Sequence, residues 1–353
     1  MTSRYKDIVN MLELEIRQMQ IDGRSKLPTE KELCSTYSCS RQTIRNALDV
    51  LEDKGLIVRR RGSGSFIADT SDKPCNKVFF ITEDEDSYIY PALISQLKNT
   101  LNDKKYELIT CSTNGSYSAE REILSDIITQ NPAAVIIDPI SSIIPNPNTD
   151  LIGRLTDNNI KVIYLYSSYP YSENSIVISE DNSGGSRLLV CHLADRGLRN
   201  IAGIFRLDDT RGLERFRGCI DTIRDLGLEF NESAFCMYSH NELRQLQKGH
   251  TEFIQRFAEE HLTRDMAVVC QNDIIAYQLI KVLNERGMKV PDDISVVSFD
   301  NSYYATSGSV SITSLGHRDK DVAASLSEAI LSSARNRPAG IKSLGWTLHV
   351  RNS

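Results

Sequence analysis

Short apolar runs alternate with amphipathic helical segments over most of the 353-residue chain, and this alternation constrains the fold more than any other feature. It is typical of parallel β-sheets that are covered by helices on both faces. The predicted strands are 78–81, 106–110, 135–138, 162–166, 176–178, 201–205, 268–270 and 295–299. The predicted helices are 92–103, 119–130, 184–196, 213–226 and 273–286. Because these strands are too many for one compact sheet, we predict two lobes with a cleft between them.

Polar side chains follow the predicted strands, at the sheet edge where ligands of such folds bind. The candidates are Ser87, Tyr88, Tyr90, Asp138, Tyr166, Ser167, Arg206, Asp208, Arg211, Asn272, Asp300 and, further along, His317. Carboxylates and guanidinium groups hydrogen-bond to hydroxyl groups, and tyrosine rings pack on the apolar face of a sugar. The set favours a small neutral polyol or monosaccharide. Two alternatives stay open: Asn272 equally suits the cap of the next helix, and Tyr88 and Tyr90 suit the core.

The first 68 residues predict a small helical domain that ends in a hairpin. Apolar residues at helical spacing predict a helix over 4–20. Thr29 and Glu32 form a capping-box pattern at the start of a second helix, and Ser40 is placed to cap a third. The run LIVRRRGSGSFI predicts two strands around a glycine turn.

The third predicted helix carries Arg41, Gln42 and Arg45 on its outer face. In a helix-turn-helix this face enters the major groove, where Arg reaches guanine and Gln reaches adenine. The glycine turn after three arginines predicts a β-wing that can approach the DNA backbone or minor groove. Residues 1–68 hold 12 Lys and Arg against 9 Asp and Glu, whereas the remainder holds 29 against 38. This asymmetry fits a polyanionic partner for the head, although an ordinary exposed three-helix surface is the alternative.

Composition excludes several other classes of protein. Hydrophobic residues make up 40% and charged residues 25%, which is ordinary for a globular chain. The sequence has no apolar stretch of about 18 residues, and MTSRYKDIVN lacks the apolar core of a secretory signal, so we predict a cytoplasmic protein. The eight cysteines form no CxxC pair and predict scattered, buried thiols. The six histidines show no zinc-binding spacing, so we predict no metal and no cofactor other than a small-molecule effector.

The head resembles the winged-helix domain of the GntR family of bacterial regulators. The resemblance lies in KLPTEKEL and YSCSRQTIRNALDVLEDKGLIVRRRGSGSFI and covers nearly all of residues 4–68. This resemblance implies that the head binds DNA through residues of three regions: the start of the second helix, the first turns of the third helix with its cap, and the wing. These residues are Glu30, Ser40, Arg41, Gln42, Thr43, Arg45, Arg61, Gly62 and Ser63.

The body resembles the sensor domain of LacI-type regulators, which share the periplasmic sugar-binding fold. The resemblance lies in ISEDNSGGSRLLVCHLADRGLRNIAGI, AVVCQNDIIAYQLIKVL and VPDDISVVSFDNS. It implies sugar contacts at Tyr166, Asn272, Asp300 and His317, although the first position is often Asp and the last often Gln in such sensors. Where these sensors usually carry a sugar-binding arginine, the chain has Leu213, and we expect Arg211 to replace that arginine.

A GntR-type head on a LacI-type body is the layout of the arabinose-responsive repressors. DSYIYPALI, TCSTNGSYSAERE, IIDPISS, GIFRLDDTRGLERFRG and ITSLGHRDK are similar to that family. The resemblance implies L-arabinose as the effector, with Asp138, Arg206, Arg211 and His317 in its site. We therefore predict a multidomain protein with a winged helix-turn-helix (α+β) over 1–68 and a linker over 69–76. A two-lobed α/β body of the periplasmic-binding-protein type follows over 77–353.

Such a chain would act as a homodimeric repressor on operator DNA and would be released by sugar. One alternative is a different effector, namely another pentose, a hexose or a sugar phosphate, or an activating role. Another is a sugar-modifying enzyme with Asp138 and Asp300 as a carboxyl pair. The sequence has no glycine-rich phosphate loop, no GxSxG motif and no metal-ligand spacing, which disfavours the enzyme.

Overall fold

The computed structural model describes residues 4–22, 24–54, 56–60, 63–68, 75–86, 88–170, 172, 175–317, 319–332 and 341–353. Three separate sheets organise the strands: a hairpin in the head and two six-stranded sheets in the body. None of the helices within these ranges combines the length and the apolar character that a bilayer span requires.

The head contains the predicted helix-turn-helix and hairpin. Its elements are α1 (Arg4–Ile21), α2 (Glu30–Tyr37), α3 (Arg41–Asp53), β1 (Ile57–Arg60) and β2 (Gly64–Ile67). The Thr29 hydroxyl accepts from the Glu32 amide, and the Glu32 carboxylate accepts from the Thr29 amide, so the predicted capping box is present. Ser40 caps α3 through the Thr43 amide. Ser38 adopts a left-handed conformation at φ 48° and makes the tight turn between α2 and α3.

Apolar residues of all three helices form the core of the head. Leu12, Leu33 and Leu48 are each at most 1% exposed and pack together with β1. Strand β1 pairs antiparallel with β2 over four residue pairs. This packing fixes α3 with its apolar side inward, which leaves its opposite face for a partner.

The body contains the predicted alternation of strands and helices. Its strands are β3 (Lys77–Thr82), β4 (Glu107–Ser112), β5 (Ala134–Ile137), β6 (Lys161–Tyr166), β7 (Ile176–Glu180), β8 (Asn200–Arg206), β9 (Phe235–Tyr238), β10 (Met266–Cys270), β11 (Ile294–Phe299), β12 (Thr313–Gly316), β13 (Ile341–Leu344) and β14 (Thr347–His349). Its helices are α4 (Tyr90–Asn102), α5 (Tyr117–Gln130), α6 (Thr149–Asp157), α7 (Asn182–Asp195), α8 (Thr210–Asp225), α9 (His240–Gln247), α10 (Glu252–His261), α11 (Asp273–Glu285), α12 (Tyr304–Ser307) and α13 (Asp319–Leu331). All eight predicted strands are confirmed, whereas β9, β12 and β13 were not predicted.

Two lobes result, each built on its own sheet. The first lobe has the strand order β13-β7-β6-β5-β3-β4, with every pair parallel. The second has the order β14-β12-β11-β10-β8-β9, parallel except for β14 against β12. The chain enters the second lobe after β7 and returns to the first for α13 and β13, so it crosses between the lobes more than once.

Helices cover both faces of the first sheet, as alternate residues of β3 show. Val78 and Phe80 face a cluster that includes Leu97 of α4 and residues of α13. Phe79 and Ile81 face the opposite cluster, with α5 and α6. Strands buried on both faces read as continuous apolar runs, which is why the sequence predicted them.

Two predictions about linker and cysteines have different outcomes. Strand β2 ends at Ile67 and β3 begins at Lys77, but residues 69–74 of the predicted linker lie outside the described residues, so its bounds stay a prediction. None of the eight cysteines, all of which lie within the described residues, forms a disulfide, and only Cys219 and Cys270 are buried. The prediction of buried thiols was therefore wrong for the other six, which are half-exposed because they lie on helix surfaces, edge strands or loops.

Candidate functional site

The carboxyl ends of the parallel strands in both lobes face a shared cleft. It holds a cavity of about 100 Å³ that is partly open to solvent. The first lobe contributes Glu83, Tyr88, Ile89, Tyr90, Asp138, Pro139 and Glu180 to the wall. The second contributes Arg206, Asp209, Arg211, Arg215, Tyr238, Leu243, Gln247, Gln271, Asn272, Ile274 and Asp300. Seven of the twelve candidates named from the sequence therefore line this cavity, as the strand-end argument expects.

Asp138, directly after β5, is a buried carboxylate of the first lobe that lines the cavity. Its Oδ2 accepts a hydrogen bond from the Tyr90 hydroxyl. Its Oδ1 lies 3.9 Å from Nη2 of Arg211 and has no hydrogen-bond partner among the described residues. Burial raises the pKa of Asp138 to about 6, although Arg211 and the Tyr90 hydroxyl act in the opposite direction. A buried acceptor with a free lone pair is suited to receive a ligand hydroxyl.

The loop between β8 and α8 supplies two ion pairs of the second lobe. The Arg206 guanidinium donates to Asp208 Oδ1 at 2.6 Å and to the carbonyl of Ile140 at 2.7 Å. Arg211 donates to Asp209 Oδ2 at 2.7 Å and lies over the Tyr166 ring at 5.4 Å. Burial would raise the pKa of Asp209, but Arg211 and Arg206 outweigh it and hold that pKa below its ordinary value. Both arginines are therefore already neutralised by carboxylates.

Gly212 allows this loop to approach the sheet. A Cβ at this position would overlap the carbonyl oxygen of Arg206. Asp209 caps α8 by accepting from the Arg211 amide at 2.9 Å. The close approach and the cap together fix the first turn of α8, and with it Arg211, against the end of β8.

Arg215, one turn further along α8, is a site residue that the sequence analysis missed. It is 2% exposed and donates to Glu180 Oε2 at 2.9 Å and to the carbonyl of Gln271 at 2.5 Å. Its guanidinium also lies 3.5 Å from Asp300 Oδ1 and 4.1 Å from the Phe299 ring centre. Leu213, by contrast, is 36% exposed and lies outside the cavity wall.

Arg211, the expected replacement for the arginine at the position of Leu213, lies in the cavity wall, and its sugar contact stays a prediction. Arg211 lines the cavity but does not stand alone, because Arg215 lies on the same face of α8 as Arg211. The four-residue spacing of the two arginines was the signal that could have identified Arg215 before the structure.

Tyr88 and Asp300 join the two lobes across the cleft. The Tyr88 hydroxyl donates to Asp300 Oδ2 at 2.5 Å. Tyr88, Tyr166 and Asp300 all have left-handed backbones, with φ of 65°, 65° and 93°. Such conformations in residues other than glycine are costly and concentrate at functional sites.

A second bridge joins the loop after β5 to the loop after β8. The Ser141 hydroxyl donates to the carbonyl of Asp208 at 2.6 Å. The Ser142 hydroxyl accepts from the Thr210 amide at 2.7 Å and donates to Asp209 Oδ1 at 3.3 Å. The two loops also carry Asp138 and Arg206, so this bridge, which we call the serine bridge, is continuous with the cavity wall.

Two predicted residues lie behind the cavity wall, and a third, in the wall, also caps a helix. Asn272 lines the cavity but also caps α11 through the Ile275 amide at 3.1 Å, so both of its predicted roles are compatible with the structure. Tyr166 lies behind Arg211 and is not part of the wall. His317 also lies behind the wall, with Nδ1 3.6 Å from Glu180 Oε1. Ser87 lies outside the described residues.

Five further wall residues that were not predicted from the sequence are polar groups at strand ends or close to them. They are Glu83, Glu180, Asp209, Tyr238 and Gln271. Glu180 is the last residue of β7, and Gln271 directly follows β10. Burial raises the pKa of Glu180, while Arg215 and His317 lower it. Extending the strand-end rule to every predicted strand would have selected most of this set.

In the head, Glu30 connects the two predicted DNA-contacting arginines of α3. Arg41 Nε donates to Glu30 Oε2 at 2.8 Å, and Arg45 Nε lies 3.2 Å from Oε1. The Arg41 and Arg45 side chains remain 72% and 50% exposed. Gln42 donates to Asn46 at 2.9 Å. The structure thus brings these predicted residues together on one exposed face.

The remaining predicted DNA-binding residues lie at the start of α3 and in the wing. Ser40 and Thr43 share a hydrogen bond of 2.8 Å between their hydroxyls. The Ser63 amide donates to the carbonyl of Arg60 at 2.9 Å in the turn of the wing. Arg61 and Gly62 lie outside the described residues. Arg59 is bonded to Asp49 and Glu52 of α3, so it supports the wing from within the head.

Two families match parts of the chain. Residues 4–67 match the bacterial regulatory proteins of the gntR family, and residues 190–353 match the periplasmic binding protein-like domain. The arabinose metabolism transcriptional repressor of Geobacillus stearothermophilus is 32% identical over 92% of this chain and 91% of its own length. The protein of the same name from Halalkalibacterium halodurans is 28% identical over 94% of this chain and 89% of its own length.

Solved structures share the fold. A transcriptional regulator CelR in complex with cellobiose is similar with a TM-score of 0.66 at 18% identity, over 95% of this chain and 94% of its own. CcpA of Lactococcus lactis is similar with a TM-score of 0.66 at 20% identity, over 79% of this chain and 99% of its own. The chain belongs to the family of the arabinose metabolism transcriptional repressors, regulators with a GntR-type winged-helix head and a LacI-type sensor body.

Proposed function

We propose that the chain is a repressor that acts in the cytoplasm, binds operator DNA as a homodimer through its two heads and is released when L-arabinose enters the cleft. The observation that carries the effector proposal is Asp138, which lines the cavity and whose buried Oδ1 has no hydrogen-bond partner among the described residues. The names of the two repressors that the chain resembles support the choice of sugar.

The charges on the wall favour a neutral effector over a sugar phosphate. Five carboxyl side chains but only three guanidinium groups line the cavity. Arg206, Arg211 and Arg215 are each paired with a carboxylate at 2.6 to 2.9 Å. A phosphate would have to compete with these buried partners, and a free buried charge is strongly unfavourable. Sugar hydroxyls can instead donate to the carboxylates without displacing the ion pairs.

Lobe closure is the proposed link between sugar and operator. Tyr88 and Asp300, and the serine bridge, hold the lobes together on either side of the candidate sugar residues. A sugar that binds both lobes stabilises the closed arrangement and can act on the operator only through its differential affinity for the two arrangements. The coupling free energy is typically about 1–3 kcal/mol, which corresponds to a loss of operator affinity of about fivefold to 150-fold.

The candidate DNA surface fits a two-fold operator. The N-terminal end of α3 presents Arg41 and Arg45 beside Gln42. Two such helices in a homodimer would occupy major grooves about one helical turn or a multiple of it apart.

The test is fluorescence anisotropy of the full chain on an operator that the chain itself selects from a random DNA pool. L-arabinose, D-xylose, D-ribose, D-galactose and arabinose 5-phosphate are each added to the complex. Selective release by L-arabinose supports the proposal, whereas release by another sugar or by the phosphate contradicts the effector assignment. Tighter operator binding with sugar contradicts the direction of regulation. Recovery of the sugar unchanged, checked by chromatography, tests the alternative that Asp138 and Asp300 catalyse its conversion.

A further inference from the structure

We propose that the cleft contains a second subsite, at the ends of β8 and β9 beside α9, which accepts a second neutral sugar unit linked to the first. The inference rests on the proposed function, because it takes the ring held near Asp138 and Arg211 as an L-arabinose unit. The ligand class is therefore a disaccharide or short oligosaccharide of L-arabinose.

The extent of the cavity is the first argument. In the second lobe, its lining residues follow four adjacent strands: Tyr238 ends β9, Arg206 ends β8, Gln271 follows β10 and Asp300 follows β11. Strands are spaced about 4.8 Å apart, so these residues extend over about 14 Å. A pyranose ring with its outermost oxygens spans about 6 Å, from bonds of about 1.5 Å. One pentose therefore covers less than half of this wall.

Unpartnered polar atoms on the wall are the second argument. Tyr238 is 1% exposed, and its ring packs against Phe253 at 5.4 Å in the core of the second lobe. Tyr238 lines the cavity, and its buried hydroxyl has no hydrogen-bond partner among the described residues. Gln271 is 5% exposed, and its Oε1 is likewise buried without a hydrogen-bond partner among the described residues. A buried polar atom without a partner is unfavourable unless a ligand completes it.

The chemistry of this end favours a sugar over an anion. Glu83 supplies a carboxylate and Gln247 an amide, while Leu243 supplies an apolar surface against which a ring can pack. Arg206 is already bonded to Asp208 and to the carbonyl of Ile140, so it is poorly placed to bind a phosphate. Arg244 is exposed on α9 and is not part of the wall.

Isothermal titration of the full chain with L-arabinose and with a disaccharide of two L-arabinose units tests the subsite. We expect the disaccharide to bind at least as tightly as the monosaccharide. Binding of L-arabinose alone overturns the subsite and leaves the proposed function intact. Binding of neither sugar overturns the effector assignment itself, and with it the subsite.

Three variants localise the effect. Gln247→Ala and Tyr238→Phe should weaken disaccharide binding about fivefold to tenfold, as expected for one lost hydrogen bond. Their effect on L-arabinose binding should be smaller, because a single sugar unit near Asp138 and Arg211 leaves this end of the wall uncovered. Gln245→Ala is the matched control, because Gln245 is exposed on the same helix and does not line the cavity. Equal losses for both sugars, or no loss for either, overturn the subsite.

Discussion

The Tyr88 hydroxyl of the first lobe donates a hydrogen bond to the Asp300 carboxylate of the second lobe, at 2.5 Å, and both residues have left-handed backbones. The bond spans 212 positions in sequence. The left-handed conformation costs about 1–3 kcal/mol of free energy for each of these two residues. Surrounding packing must therefore stabilise this arrangement, in which the bond joins the two lobes across the cleft.

We predict that Tyr88→Phe weakens L-arabinose binding about fivefold to tenfold. The change removes one hydroxyl, and with it a bond between the lobes that contributes about 1 kcal/mol or more to the closed arrangement. Calorimetric titration of the full chain measures the effect. Tyr106→Phe is the control, since Tyr106 precedes β4, away from the cavity wall. An unchanged or tighter dissociation constant for Tyr88→Phe contradicts the role of this bond in closure.

The serine bridge gives a second prediction about closure. Replacing both Ser141 and Ser142 by Ala removes the side-chain hydrogen bonds to Asp208, Asp209 and Thr210. We expect L-arabinose affinity to fall about tenfold or more, because the closed arrangement loses about 1 kcal/mol per bond. Operator affinity without sugar should stay unchanged, which anisotropy on the selected operator measures.

A control separates closure from misfolding in the serine variant. Ser125→Ala removes a hydroxyl that bonds only within α5, to the carbonyl of Arg121. It should leave the dissociation constants of both sugar and operator unchanged. If the double variant also loses operator affinity without sugar, the serines support the folded state in general and the closure role is wrong.

The fold was largely predictable from the sequence where the buried residues of a strand are apolar. Strands such as β3 and β10 are continuous apolar runs, and their bounds were predicted to within two residues. Strand β12 was missed because its residues Thr313 and Ser314 are polar, although both are buried. The Ser314 hydroxyl donates to Asp273 at 2.6 Å, and this bond makes its burial possible. Hydrophobicity patterns cannot detect a strand whose polar residues are satisfied by partners distant in sequence.

The site was predictable only in part, for a similar reason. Asp138, Arg206 and Asp300 follow strands, and the geometry of parallel sheets places them in the cleft. Arg215 lies inside a helix, and its burial depends on Glu180, which comes from the other lobe. The contact with Glu180 forms only once the two lobes are assembled, and the contacts with Gln271 and Asp300 join residues distant in sequence, so the local sequence does not reveal them.

For the head, we predict that Arg41→Ala lowers operator affinity more than about tenfold. Loss of a guanidinium contact to a base typically costs about 1–3 kcal/mol. Arg24→Ala is the matched control, because Arg24 is an exposed arginine of the same domain that pairs with Asp22. Anisotropy at two salt concentrations measures both variants. An equal small loss for both would show that Arg41 contributes only general positive charge.

Asp138 gives a prediction about pH and stability. Its pKa of about 6 in the folded chain exceeds the ordinary value of 3.8, so the folded state holds the proton more tightly than the unfolded state. Stability from this group is therefore greatest below about pH 4 and is lost as the pH rises to about 6, by about 3 kcal/mol at most. Burial also raises the pKa of Asp273 to about 6, which adds a decline in the same range.

Asp138→Asn should remove the part of this pH-dependent loss of stability that the Asp138 carboxyl group causes. We expect the variant to be more stable than the parent by about 1 kcal/mol or more near pH 7.5, because no buried charge forms there. The same change should abolish L-arabinose binding, since an amide can present its NH₂ where the free carboxylate oxygen lay. Thermal unfolding at about pH 4 and pH 7.5 measures the first effect, and calorimetry measures the second. A variant that is destabilised at pH 7.5, or that still binds L-arabinose normally, would show that Asp138 serves the fold and not the effector.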